Sequence, residues 1–202
     1  MATTRQLAAI MFTDMVGYTT LMQENEQLAL QKRDRSKNII ESALEKYSGR
    51  LLQYYGDGTL SIFSSAVNAI LCAIEMQTRN LENPKIDVRI GIHIGDIIFD
   101  EAGIYGDSVN VASRIETLAV PGSIFISERM YDEVRNQQDS HTQTLGYFEL
   151  KNVKQSMQVY AIANPGIVVP SRTEVKGKVK EALNAIAVLP FASLSSDAEN
   201  EF

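Results

Sequence analysis

A lone cysteine and two histidines in 202 residues leave little material for thiol chemistry or imidazole clusters. Cys72 cannot form a disulfide framework; in "NAILCAIEMQ" it reads as a small buried hydrophobe on a helix, and the shortage of thiol pairs suits a reducing, cytoplasmic setting. His93 alternates with apolar residues in "RIGIHIGD" and reads as a packed strand residue, and His141 in "QQDSHTQT" as a loop residue. Basic excess is also missing. A formal net charge of −6 repels phosphate backbones unless a local patch reverses the sign, so no nucleic-acid partner is expected. No basic segment followed by an apolar one opens the chain, and no stretch approaches the roughly 20 apolar residues that span a bilayer, so no membrane segment is expected. No internal repeat is visible.

What is present is a 45% hydrophobic composition, enough to bury a full core in one domain with length to spare. "RQLAAIMF" reads as a buried strand and Asn25 to Tyr47 as a helix with Leu28, Ile39, Ala43 and Leu44 along its apolar stripe. "GRLLQYYGDGTLSIFSS" holds two short runs rich in aromatic and branched residues around "GDG", a hairpin with Asp57 at its tip. "SAVNAILCAIEMQTRNL" is an amphipathic helix. "KIDVRIGIHIGDIIFD" reads as a strand, a turn and a second strand, and "DSVNVASRIETLA" as a helix stopped by "VPG". "SIFIS", "GYFELKNV" and "MQVYAIA" close the series as strands. This order fits an α+β sandwich with a helical layer on a mixed sheet.

The C-terminal part differs. Residues 165–184 combine Pro, Gly and mixed charge without strong periodicity and read as a linker with one short helix. Residues 185–202 contain "AIAVLPF", a strand-like run with nothing after it to pair with, and read as the truncated start of a following domain. Residues 1–164 are then the main domain.

Chemistry enters with Asp14, which ends the apolar run. A carboxylate at the tip of a buried strand loses water that it must replace. If the strand of Asp14 and the hairpin of Asp57 are sheet neighbours, both carboxylates meet at one edge, and two hard oxygen donors with positions left for water and phosphate suit Mg²⁺. Gly17, Gly56 and Gly58 let backbone approach a phosphate, and Gly17, Tyr18 and Thr19 in the "MVGYT" turn offer N–H groups to an anion. The plainer alternative makes Asp14 a helix cap and Asp57 a turn residue. Farther on, Asn110 and Arg114 stand at i and i+4 on one helix face, where they can hold a sugar and a phosphoryl oxygen together; the alternative is a solvated face with Arg114 near Glu116 or Asp107. Tyr54 and Tyr55 read as core and edge packing rather than base-stacking residues.

"FTDMVGYT", "YYGDGTLSIF", "RIGIHIGD" and "IYGDSVNVASRIE", in this order and spacing, resemble a class III nucleotidyl cyclase catalytic domain of bacterial type, over about Leu7 to Ala163. The resemblance implies a ferredoxin-like sandwich of a mixed, mainly antiparallel sheet with helices. It implies that Asp14 and Asp57, with the backbone carbonyl of Met15, bind two Mg²⁺ or Mn²⁺ ions that activate the ribose 3′-hydroxyl of a nucleoside triphosphate and neutralise its phosphates. By the same resemblance Asn110 orients the ribose and Arg114 stabilises the pentavalent phosphorus. Lys151 holds the terminal phosphates, with Lys154 as the fallback. The products are a 3′,5′-cyclic nucleotide and pyrophosphate. The family's sites form between subunits, which implies a homodimer.

Two positions depart from the family pattern. Gln53 stands where the adenine-selecting lysine falls, and Gly103 where its partner aspartate falls. The Gln53 amide presents a donor and an acceptor and can turn to suit adenine, guanine or a pyrimidine, whereas Gly103 offers only backbone. Asp100 and Glu101 are close enough in sequence to substitute. ATP is the expected substrate on family frequency; a cyclase for another nucleotide, or a nucleotide-binding regulatory domain without turnover, are the alternatives.

Overall fold

The apolar run before Asp14 forms a strand covered on both faces, which explains why its hydrophobic residues are consecutive rather than alternating. The computed structural model describes residues 4–100, 103–153, 155–175 and the backbone pair 178–179. In chain order the elements begin with β1 (Thr4–Met15), α1 (Tyr18–Glu24), α2 (Glu26–Lys46), β2 (Arg50–Tyr55), β3 (Gly58–Phe63) and α3 (Ala66–Asn80). They continue with β4 (Val88–Asp100), β5 (Gly103–Tyr105), α4 (Asp107–Leu118), β6 (Ile124–Ser127), α5 (Glu128–Val134), β7 (Thr142–Glu149), β8 (Met157–Ile162) and β9 (Lys178–Val179). One sheet runs β2-β3-β1-β4-β6-β8-β7-β9, with β5 on β4. Its pairs are antiparallel except β4 with β6, so the sheet is mixed and mainly antiparallel, and the fold is an α+β sandwich.

The two faces of β1 go to different layers. Ala9, Met11 and Met15 pack with Ile39, Ile40, Ala43 and Leu44 of α2 and with Ile70, Cys72, Ala73 and Met76 of α3. Ala8 and Ile10 pack instead with Leu60, Ile97 and Ala112 of α4. Val111 and Ile115 of α4 continue that second layer onto Phe125, Phe148 and Val159. Ile90 and Ile92 on β4 are fully buried, and truncating either to Ala would remove about 2–5 kcal/mol of stability. Side-chain oxygens cap three helices: Asn25 accepts from Leu28 N on α2, Ser65 from Asn68 N on α3 and Ser127 from Met130 N on α5.

Several elements differ from the sequence expectation. The stretch after Lys85 holds no turn at Gly95 and Asp96: β4 is one strand of 13 residues, paired with β1 from Val88 to Phe99. The glycines serve close approach instead. A Cβ on Gly91 would collide with the backbone of Glu116, and one on Gly95 with the Ser108 side chain, so the two glycines let α4 lie directly on β4. The short helices α1 and α5 and the short strands β5 and β9 lack the length to show a periodic signal. Leu28 is half-buried, while Ala29 and Ile40 complete the α2 stripe. Residues 165–175 lie against the domain, with Ile167 and Val175 buried and Val168 N–H donating to the Gly122 carbonyl. The segment 185–202 is outside the described residues. No helix among the described residues is long and apolar enough to cross a membrane.

Cys72 is fully buried on α3, where burial pushes its thiol up to about 12. His93 is packed on β4, as its alternation implied, with Nδ1 at 2.7 Å from Ser127 Oγ. Burial, then the charge of Arg129, lowers its pKa from 6.5 to about 4, so the ring folds neutral. A depressed histidine contributes stability that is fully present above pH 6.5 and is lost as pH falls through the folded value near 4. Urea unfolding should therefore show the protein losing about 3 kcal/mol relative to His93→Gln across that window. A difference independent of pH would mean that His93 is not held neutral.

Candidate active site

Antiparallel pairing of β1 with β3 joins Thr13 to Thr59, whose hydroxyls lie 2.8 Å apart in the buried sheet. One residue beyond this pair, Asp14 remains inside β1, opposite Arg89 of β4, and Asp57 occupies the turn between β2 and β3. The helix-cap alternative for Asp14 fails, because the N-cap of α1 is Gly17. The two acids are electrostatic neighbours. Burial raises the pKa of Asp57 and the charge of Asp14 adds to the rise, whereas hydrogen bonds from its own backbone and from that of Met15 and the charge of Arg89 oppose it. Met15, 5% exposed, ends β1 beside them. Among the described residues no group of three or more His, Cys, Asp or Glu assembles, so a cation here would take two carboxylates and fill its remaining positions with backbone, water or substrate oxygen. That hard-oxygen donor set fits Mg²⁺ or Mn²⁺ and does not fit a thiophilic metal.

Arg89 and Glu116 were not singled out from the sequence. Arg89 Nη2 and Nε lie 2.8 and 3.0 Å from Asp14 Oδ2, and Arg89 Nε lies 2.5 Å from Glu116 Oε1. Glu116 projects from α4 with its side chain 10% exposed. Burial pushes its carboxyl up to about 7 against the pull of Arg89, and the charge of Asp14 adds to the rise. Both residues belong to quoted motifs, "RIGIHIGD" and "ASRIE", but an i-to-j ion pair between a strand and a distant helix leaves no periodic trace. Glu116 thus pairs with Arg89 rather than with Arg114.

The second group gathers elsewhere. Asn110 and Arg114 share a face of α4, and with Lys151, just past β7, they line a cavity of about 700 Å³ that also includes Asp107 and Glu128. Arg114 forms no ion pair with the described residues, and its buried Nε has no hydrogen-bond partner. Lys154 is outside the described residues. A smaller cavity of about 250 Å³ reaches Asp57 from the other side, between β2 and α2, and is lined by Arg33, Lys37 and Tyr54. The two cavities share no lining residue.

Gln53 is exposed on β2 opposite Leu60, next to a bulge that interrupts the β2 and β3 register after Leu51. Gly103 opens β5, opposite Asp100. Glu101 is outside the described residues. Gly17 has φ +78°, and Tyr18 and Thr19 begin α1, whose N-cap supplies no side-chain hydrogen bond. Tyr54 and Tyr55 are edge residues and not core, 41% and 49% exposed. Tyr54 reaches Glu41 on α2 through its hydroxyl, and Tyr55 lies against Phe12 with ring centroids 6.1 Å apart.

Comparison with known proteins agrees with this fold. The adenylate and guanylate cyclase catalytic domain family matches residues 2–164. A Rhizobium meliloti (strain 1021) protein named "Putative adenylate cyclase 3" is 35% identical over 213 residues, covering 98% of this chain and 35% of the relative, so the chain spans about a third of that relative's length. Among solved structures, an adenylate/guanylate cyclase/hydrolase from Silicibacter pomeroyi superposes with TM-score 0.74 at 32% identity, covering 80% of this chain and 99% of the other. The adenylyl cyclase CyaB from P. aeruginosa, at 23% identity and TM-score 0.73, covers 81% of this chain and 97% of its own and shares the fold. With that family's model matched across residues 2–164, the chain belongs to the adenylate and guanylate cyclase catalytic domain family.

Proposed function

We propose that the domain converts a nucleoside triphosphate, ATP first among them, to its 3′,5′-cyclic monophosphate and pyrophosphate in a homodimer with composite sites. The observation that carries this reading is the division of the machinery. Asp14 ends β1 and Asp57 lines the smaller cavity beside β2, Asn110, Arg114 and Lys151 line the larger one, and the two cavities have no lining residue in common. A second copy placed head to tail brings the carboxylates of one chain to the guanidinium of the other, and twofold symmetry makes two such sites.

In this arrangement Asp14 and Asp57, with the Met15 carbonyl, hold the divalent cations. When bound, these ions lower the pKa of the attacking 3′-hydroxyl and offset triphosphate charge. Gly17, Tyr18 and Thr19 present backbone N–H groups toward phosphate oxygens. Asn110 fixes the ribose by hydrogen bonding, so that the 3′-oxygen faces the α-phosphorus in line with the leaving pyrophosphate. The partnerless Nε of Arg114 supports the assignment of that residue to the charge that grows on the transferring phosphoryl group. Lys151 meets the terminal phosphates as a point charge. Gln53 reads the base edge, and Gly103 leaves room there without a side chain.

The substitutions at the selector positions favour one further reading, a relaxed or altered base preference. Incubating the domain with each of the four nucleoside triphosphates and Mn²⁺, and measuring pyrophosphate and cyclic product, should give ATP the highest kcat/KM. No cyclic product from any nucleotide would remove the enzymatic reading.

Asp14→Ala and Asp57→Ala should each lower metal-dependent turnover by several orders of magnitude while gel filtration shows an unchanged dimer. Wild-type rates in both would end the metal assignment. Gln53→Ala should change the ratio of kcat/KM values among nucleotides by about 1–3 kcal/mol, more than it changes the best value, and an unaltered ratio moves base reading to Asp100 or Glu101. Mixing Asp57→Ala with Arg114→Ala protein should restore roughly a quarter of wild-type activity, because about half of randomly exchanged dimers are mixed and each of these has one intact site. A mixture as inactive as its components, with exchange shown independently, would refute the shared site.

A further inference from the structure

Asp14 meets Arg89 before it meets any cation. Both contacts from the guanidinium fall on the same oxygen, Oδ2, at 2.8 and 3.0 Å. A carboxylate held by arginine alone is close to neutralised as a pair, and an incoming divalent cation must compete with the guanidinium for it. The guanidinium also faces a second carboxylate. Its Nε–H donates to Asp14 Oδ2, and Glu116 Oε1 lies 2.5 Å from the same Nε without a hydrogen bond, so Glu116 meets the Arg89 charge electrostatically from the buried side.

The location of Glu116 is costly for a residue with only a packing role. It lies on the underside of α4 with Val111, Ala112 and Ile115, positions that are buried and apolar, and an apolar side chain would serve packing there without losing hydration. The sheet is shaped to bring it close, since Gly91 of β4 lacks the Cβ that would strike the Glu116 backbone. Glu116 therefore reaches the ion pair from the layer opposite α2 and α3.

We propose that Glu116 is a positioning residue: by offsetting part of the Arg89 charge beside Asp14, it leaves the Asp14 carboxylate negative enough to accept a divalent cation. This rests on the reading of Asp14 and Asp57 as the cation pair. Removing the Glu116 charge leaves the Arg89 charge offset by Asp14 alone and weakens cation binding without removing any ligand.

The test titrates the full chain with Mn²⁺ alone at about pH 8, where the Glu116 carboxyl is mostly ionised, and follows the free ion by its electron paramagnetic resonance signal, with melting and gel filtration as controls. Glu116→Gln should weaken Mn²⁺ binding about tenfold, and Glu116→Asp, which keeps the charge, should stay within about threefold of wild type. In an Arg89→Leu background the same Glu116→Gln change should shift binding by less than about twofold, because no guanidinium remains to redistribute. Turnover separates positioning from helix displacement. Excess Mn²⁺ should restore kcat in Glu116→Gln, whereas a displaced α4 would misplace Asn110 and Arg114 and keep kcat low at every Mn²⁺ concentration. Equal weakening in both backgrounds, unchanged Mn²⁺ binding in Glu116→Gln, or kcat that excess Mn²⁺ does not restore each overturns the proposal. Asp14→Asn distinguishes the two levels: loss of Mn²⁺ binding there with none in Glu116→Gln overturns the role of Glu116 only, while wild-type binding in Asp14→Asn overturns the cation pair and this inference together.

Discussion

The register of β1 between β3 and β4 is the constraint on which the rest of the molecule depends. Side chains alternate across a strand, so Ala9 and Met11 enter the layer of α2 and α3 while Ala8 and Ile10 enter the layer of α4. Asp14 follows the second set and meets Arg89 and, through it, Glu116. A slip of one residue would exchange the faces, burying Asp14 among the α2 and α3 hydrophobes and moving Thr13 away from Thr59. The pairing of twelve β1 residues with β4 resists that slip, and the buried Thr13 and Thr59 hydroxyls hold it on the other side.

Charge is handled differently at the two ends of the candidate machinery. At the sheet edge, Asp14 and Glu116 flank the single guanidinium of Arg89, and burial, with the charge of Asp14 added, makes Asp57 harder to ionise. Around the larger cavity, Arg114 has no ion pair among the described residues and its Nε has no partner, a group suited to an anion that arrives from outside. The separation of the aspartate pair from Arg114 is the physical ground for the proposal that a second copy completes the site.

Close packing of α4 on β4 ties these ends together within one chain. Gly91 and Gly95 remove the side chains that would hold the helix off, so the helix that carries Asn110 and Arg114 also carries Glu116 to the acidic edge. Rigid strands and a helix laid directly on them fix such groups more closely than surface loops would.

Much of this was legible in the sequence. The strand before Asp14, the hairpin with Asp57 at its tip, the helices that follow Asn25 and Ser65 and the helix with Asn110 and Arg114 follow from periodicity and turn residues, all of them local properties of the chain. The family motifs added the order in which these pieces belong. Tertiary structure decided what local patterns cannot encode: that Gly95 continues a 13-residue strand instead of turning it, that Tyr54 and Tyr55 stay at the edge, and that Arg89 is shared by Asp14 and Glu116. A glycine carries the same sequence signal whether it bends the chain or admits a neighbouring helix, and an ion pair between remote residues is set by which layers come into contact, so only the packed molecule distinguishes them.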